Sequence, residues 1–325
     1  MKEMKLTFVN VGYGESTLLE CPVEGRRSFV MLIDGGSAEP AEYADSTSGR
    51  IPLTEYLRMN GPDHIDLLVS THAHEDHVCA GFQAAQLLPP QELWQSLPPT
   101  FYQEMQPLEA SLAETESQSK FLRALNDYRA LCRLELSHPL RIRQLYAGMV
   151  ETPCPGLQIS VLGPQLAQTK ELENQLRALY QERDHRVWIE KLAALDSRMN
   201  NFSLMLLLDW HGTRILLPGD TNRLGYGEIP PQQLRADLFK VGHHGQIDGA
   251  DQPLLDAVHP QAVVCCASSD RRYQSAHPDL LQMMQNQGIA LYFSDCPAVS
   301  GMTVPPHHAL TFTVGEAGVF TAVYQ

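Results

Sequence analysis

A chain of 325 residues with 43% hydrophobic and 19% charged residues has the composition of a folded globular protein, not of a disordered or fibrous one. Its net charge of −14, with no basic run, weighs against a surface that grips long nucleic acid but not against a small phosphate ester. Seven cysteines without a C-x-x-C pair speak against a disulfide framework or zinc ribbon and fit reduced thiols in the cytoplasm.

No run approaches the roughly 18 apolar residues of a membrane span, and the N-terminal residues lack the apolar stretch of a signal peptide. Strands are predicted over 5–11, 16–21 and 29–33, the last running into Asp34-Gly35-Gly36. A short helix is predicted over 52–59 and a buried strand over 65–70. Residues 99–134 read as helical, with Phe121, Leu125, Tyr128 and Cys132 on one face. After a strand over 157–162, residues 166–199 read as helical with a Leu172, Leu176 and Leu179 stripe. Their dense polar residues place them at the surface. Strands over 203–210 and 214–217 are joined by His211-Gly212-Thr213, a hairpin signal. Short buried strands over 238–241 and 262–266, a helix over 278–287 and strands over 289–293, 310–314 and 319–324 complete the chain. The mixture predicts one layered α/β domain over 1–325, with helical insertions at about 99–134 and 166–199.

The densest chemistry is Ser70-Thr71-His72-Ala73-His74-Glu75-Asp76-His77, directly after the buried strand. Imidazole nitrogen and carboxylate oxygen suit zinc, manganese or iron(II). Alternate residues of an extended loop can aim His72 and His74 at one ion, and Asp76 and His77 can turn to a second. The other reading is a polar loop rich in histidine. Asp220, in Leu217-Pro218-Gly219-Asp220, is either a bridging carboxylate or an ordinary turn aspartate. His243 and His244 end another strand, as further ligands or as a surface pair. All three groups lie where strands run out, a common place for active-site residues.

With Val11-Gly12-Tyr13-Gly14-Glu15-Ser16, Leu32-Ile33-Asp34-Gly35-Gly36, Asn200-Asn201-Phe202-Ser203-Leu204, Lys240 to Gly245 and Ala276-His277-Pro278 in order around that motif, the chain resembles the metallo-β-lactamase superfamily. Within it, the resemblance is nearest to the hydrolase domain of the ComEC-type competence proteins. The resemblance implies an αββα four-layer sandwich with the site at one edge. It implies two divalent ions, zinc or manganese with iron as a further option. His72 and His74 would hold one ion, Asp76 and His77 the other, and Asp220 would lie between. The distal ligand maps to His243 in preference to His244, which is left as an outer-layer residue or proton donor. Asn200-Asn201 stand where many members have a further histidine. Tyr13, Cys79 and Gln246 replace the family's usual Gln, Gly and Ser. The membrane channel of ComEC has no counterpart, so DNA uptake is not expected to carry over.

Two such ions can activate a bridging water for attack, with Asp76 orienting it and His244 or His277 protonating the leaving group. His277 reads equally as a helix cap. Asp34 is either a carboxylate orienting a ligand histidine or a turn residue. Cys79 reads as a buried thiol before a soft ligand. Tyr13 and Trp210 could stack on a substrate base or sit in the core. The expected activity is hydrolysis of a small phosphate ester or nucleotide-type substrate by a phosphodiesterase or nuclease. The alternatives are a lactone, lactam or thioester hydrolase, and a non-catalytic metal-binding or redox protein. His74 argues against the redox reading, since redox members carry Glu there. The oligomeric state is not encoded in any motif.

Overall fold

The computed structural model describes residues 3–45 and 47–325. Its first sheet begins with antiparallel strands β1 (Met4–Val9), β2 (Thr17–Cys21) and β3 (Phe29–Ile33). From β3 the pairing becomes parallel through β4 (Leu67–Val69), β5 (Glu92–Gln95) and β6 (Arg141–Gln144). In the second sheet β7 (Val150–Cys154), β8 (Leu157–Gly163), β9 (Met205–Trp210) and β10 (Thr213–Leu217) run antiparallel. There β11 (Leu238–Lys240), β12 (Ala262–Cys265) and β13 (Ala290–Phe293) extend from β10 in parallel. Finally β14 (Ala309–Val314) and β15 (Phe320–Tyr324) return to the first sheet beside β1.

Register explains which side chains fill the centre. Phe312, Leu6, Leu19, Met31 and Leu67 are cross-strand partners in one row of the first sheet. Ile159, Leu208, Ile215, Leu238 and Ala262 form the matching row of the second. Both rows belong to one buried cluster, so the two sheets face each other. The opposite face of the first sheet, through Leu18, Leu32, Leu68 and Leu93, packs under α1 (Leu53–Met59), α2 (Glu75–Leu87), α3 (Glu116–Arg133), α4 (Leu166–Gln181) and α5 (His185–Asp196). That of the second, through Leu207, Leu216, Phe239 and Val263, packs under α6 (Pro231–Leu234), α7 (Gln252–Val258) and α8 (Pro278–Asn286). These are the four αββα layers. Central strands buried on both faces account for the continuous apolar runs at 67–69 and 238–239. Among the described residues, no helix is long and apolar enough to cross a membrane.

Several elements differ from the sequence reading. Helix α2, β5, β6 and β7 carry no strong periodicity and were not foreseen. The first insertion is an α-helix only from Glu116; before it, Pro98, Pro99 and Pro107 leave short 3-10 turns. Thr115 and Gln118 then start α3 with a reciprocal capping box. The second insertion is two helices rather than one, because Asp184 caps a new start by accepting from Val187 N at 3.1 Å.

Candidate metal centre

The parallel strands of both sheets deliver their C-terminal ends to one edge. Asp34 follows β3, the histidine motif follows β4, Asp220 follows β10 and the His243-His244 pair follows β11. The motif is not the loop expected from sequence. His74 is the N-cap of α2, and Asp76 and His77 lie in its first turn, where the helix dipole favours a carboxylate. Gly35 allows this close approach: a Cβ there would sit 2.0 Å from Gly81 N of α2. In the space so kept, Gly35 N donates to His77 O at 2.7 Å.

Four side chains meet at the centre, and Asp76, His77, Asp220 and His244 are close enough to share an ion. His244 Nε2 lies 3.0 Å from Asp76 Oδ2 and 2.9 Å from Asp220 Oδ2, and His77 Nε2 lies 3.3 Å from Asp220 Oδ2. His77 and His244 are fully buried. Their outer nitrogens are already committed: His77 Nδ1 donates to Asp34 Oδ2 and His244 Nδ1 to Cys266 O, both at 2.8 Å. That leaves both Nε2 atoms bare in the neutral tautomers, and neither makes a well-aligned hydrogen bond despite the short distances to carboxylate oxygen.

The same logic holds for the other pair. The Thr71 hydroxyl donates to Asp34, so it accepts from His72 Nδ1–H at 3.0 Å, and His72 Nε2 is bare. His74 Nε2 donates to Asp196 Oδ1 at 3.1 Å, so His74 Nδ1 is bare. These two inward nitrogens lie 3.1 Å apart, close enough to share a proton or an ion. Two nitrogens bound to one tetrahedral zinc at about 2.05 Å would lie roughly 3.3 Å apart. Four imidazoles thus turn protonated nitrogens outward and lone pairs inward, toward carboxylate oxygens. The donor set fits divalent cations.

Without a cation, protons take its place. Burial opposes charging His77, but Asp220, Asp76 and Asp34 hold its pKa well above the ordinary imidazole value. Burial likewise opposes His244, yet Asp220 and Asp76 push it up to about 9. Burial also works against ionising Asp220, but His244, His77 and Lys240 hold it well below the usual carboxylate range. His72 moves the other way, lowered by burial and by its histidine neighbours.

Asp34 also falls near His72 and His77 in a second possible ligand group. Its oxygens accept from Thr71 N at 2.9 Å, the Thr71 hydroxyl and His77, so its hydrogen bonds orient the Thr71 and His77 side chains. The structure reverses the expected order of the histidine pair. His243 and His244 both have left-handed backbone, φ 48° and 49°, which sends adjacent side chains apart. His244 enters the cluster; His243 donates through Nδ1 to Asp248 at 2.8 Å and lines the cavity outside. His277 is not brought into the site: it caps α8, accepting from Asp279 N, ahead of Pro278. Trp210 is a core residue between the sheets. Cys79 is buried in α2 against Asp127 and is not among the side chains that converge. Asn200 lines the cavity with its Oδ1 buried and unpartnered, whereas Asn201 Oδ1 accepts from Asn222 N at 3.4 Å. The Tyr13 ring lies 4.4 Å from that of His244, and Gln246 Nε2 donates to its hydroxyl at 3.4 Å.

Two functional groups escaped the sequence reading. Asp196 arrives from the end of α5, and no local pattern marks it. Lys240 was missed too, although a signal existed: a lysine in an apolar strand needs a buried partner. It is fully buried, ion-paired to Glu15, and 3.1 Å from Asp220 Oδ1. Asp220 therefore offers only Oδ2 to the cluster.

Four layers with a histidine–aspartate centre at the shared strand edge are the metallo-β-lactamase fold. No family model matches the chain. It is similar to ComE operon protein 3 of Bacillus subtilis, 22% identical over 301 residues, covering 90% of this chain and 32% of that protein. The chain thus spans about a third of that relative's length. Among solved structures it is similar to a diphosphatase of the PhnP family (9% identity, 93% and 97% of the two chains, TM-score 0.43). It is also similar to a motif mutant of the metallo-β-lactamase from Cronobacter sakazakii (11%, 72% and 75%, TM-score 0.37). A third is zinc-bound PqqB from Methylobacterium extorquens (10%, 72% and 69%, TM-score 0.33). At these scores the likenesses do not bear on the chemistry of the site.

Proposed function

We propose that the chain is a metal-dependent hydrolase with two divalent ions, zinc or manganese, acting on a phosphodiester. The observation that carries the metal reading is the inward convergence of four bare imidazole nitrogens on two carboxylates. His72 and His74 would hold one ion, Asp76, His77 and His244 the other, and Asp220 Oδ2 would be shared. When bound, two ions supply Lewis acidity and lower the pKa of water toward neutrality. Asp34, Asp196 and the Cys266 carbonyl fix the ligand rings, so little reorganisation accompanies the reaction. Asp76, at the cavity wall, orients the attacking water. His243, its Nδ1 held by Asp248, takes the proton-donor role first assigned to His244 and His277. Tyr13 supports the same wall: burial, then Asp76 and Asp220, raise its phenol far above the ordinary value and keep the proton on oxygen.

The phosphodiester reading follows from the motif's resemblance, and reduced cysteines fit a cytoplasmic setting. The test is a panel of bis-p-nitrophenyl phosphate, a lactone and a chromogenic lactam, using protein purified without chelators. Expected are turnover of the phosphodiester, loss with EDTA and recovery with zinc or manganese. Turnover of the lactone or lactam alone would shift the assignment to carbonyl chemistry. EDTA-resistant activity would remove the metal mechanism.

A further inference from the structure

The centre opens into a cavity of about 1190 Å³, far larger than a phosphate requires. Two features of its wall restrict what fills it. The first is charge. Carboxylates outnumber cations, and the three cationic side chains are already ion-paired: Lys120 with Glu116, Arg123 with Glu39, and Arg272 with Glu42. Among the described residues, no cation of the wall is left unpaired for a second or third phosphate, and a polyanion would meet net repulsion.

The second feature is an aromatic corner beside the ions. Tyr13 contacts the His244 ring, and Tyr273 stands against Tyr13 with centroids 5.1 Å apart at 65°. Tyr273 is 60% exposed, so its ring remains available to a ligand. It is held there by a built loop. Arg271, Tyr273, Gln274 and Ala276 all have left-handed backbone, φ 48° to 61°, a cost that persists at functional sites. Arg271 Nη2 closes the loop by donating to Ala276 O at 2.8 Å, and Arg272 N donates to Ser268 Oγ at 3.2 Å. The far side is fixed by Glu42, which accepts from Tyr13 N at 2.8 Å while pairing with Arg50 and Arg272. The Arg272 guanidinium lies 5.8 Å from the Tyr13 ring centroid and adds a flat cationic plane.

We infer that this corner is a subsite for a planar aromatic group, so that the substrate is a singly charged phosphodiester bearing a nucleobase. The inference rests on the phosphodiesterase reading but is separable from it. Metal-loaded protein is assayed, by release of methanol, with thymidine 5′-(methyl phosphate) as the nucleoside ester and dimethyl phosphate as the methyl ester, so that the base is the sole aromatic ring. Stacking on an aromatic side chain predicts that Tyr273→Ala loses about tenfold more kcat/KM on the nucleoside ester than on the methyl ester. Tyr273→Phe keeps the wild-type ratio. Equal losses on both esters, or none, would overturn the subsite. In parallel, calorimetry compares binding of thymidine 5′-monophosphate and inorganic phosphate. About tenfold tighter nucleotide binding that depends on Tyr273 supports the subsite even if no ester is cleaved, in which case only the hydrolytic reading fails. A base that adds nothing to binding overturns the subsite whatever the assays show. A decathymidylate that binds more tightly than the mononucleotide would overturn the restriction to a single charge.

Discussion

The two halves of the centre are anchored by different parts of the molecule. His77 and His244 are held by Asp34 at the end of β3 and by the carbonyl of Cys266 just past β12, while Lys240 of β11 fixes Asp220. Every anchor of this half lies in a strand or directly after one. His74 is held instead by Asp196, carried in on the second helical insertion, and Ser117 of α3 reaches the same carboxylate at 3.4 Å. Buried strand ends make the first half rigid. In this second half His72 is still held through Thr71 by Asp34, and it is the His74 ring whose orientation depends on how α3 and α5 pack over the first sheet.

This contrast predicts graded losses. Asp220→Ala removes the oxygen shared by both halves. Under the proposed mechanism kcat/KM should fall by more than about 100-fold, beyond the loss of an outer partner, while far-UV circular dichroism is retained. Appreciable turnover in this variant would refute the shared role. Lys240→Met strikes the sheet-anchored half through stability. It leaves Glu15 buried without its partner and should cost about 3–5 kcal/mol in denaturant unfolding. Lys240→Met combined with Glu15→Gln should recover much of that loss, and no recovery would show that packing, not charge, dominates. Asp196→Ala should reach only the insertion-anchored half, with roughly 10–100-fold weaker binding of one ion of two and little change in melting temperature. Equal weakening of both ions would erase the distinction drawn here.

How far the sequence disclosed these halves follows from the same physics. The strand-end residues His72, His77, Asp220 and the His243-His244 pair were legible because apolar runs ending in polar residues mark buried strands meeting an edge. The layer order was legible only through the resemblance. Which of His243 and His244 turns inward depends on two consecutive positive φ values, which no residue pattern signals. Asp196 was invisible because its role arises from packing between elements far apart in the chain. Helix α2 was hidden because its first turn is made of the candidate metal-binding residues Asp76 and His77, which read as a loop.

In ion-free protein His244, with its pKa raised from the ordinary 6.5 to about 9, stabilises the fold fully below pH 6.5 and loses that contribution as pH rises through 9. Asp76 and Asp220, held below the ordinary 3.8, contribute above that value and lose their contribution in acid. The melting temperature of ion-free protein should therefore be highest between these limits and fall toward pH 9. Zinc-loaded protein should lack the alkaline fall, because the cation replaces the protons. Parallel profiles in the two forms would contradict the exchange. The smallest effect belongs to His277→Ala, which removes a helix cap worth about 0.5–1 kcal/mol and should leave kcat unchanged. A large fall in kcat would return His277 to the site.

The decisive measurement is metal content per chain, on protein purified without chelators and after titration of stripped protein with zinc or manganese. Two equivalents are expected in the wild-type chain and no more than one in His244→Ala. Protein that takes up no stoichiometric transition metal, or a His244→Ala variant that still binds two, would contradict the two-ion centre.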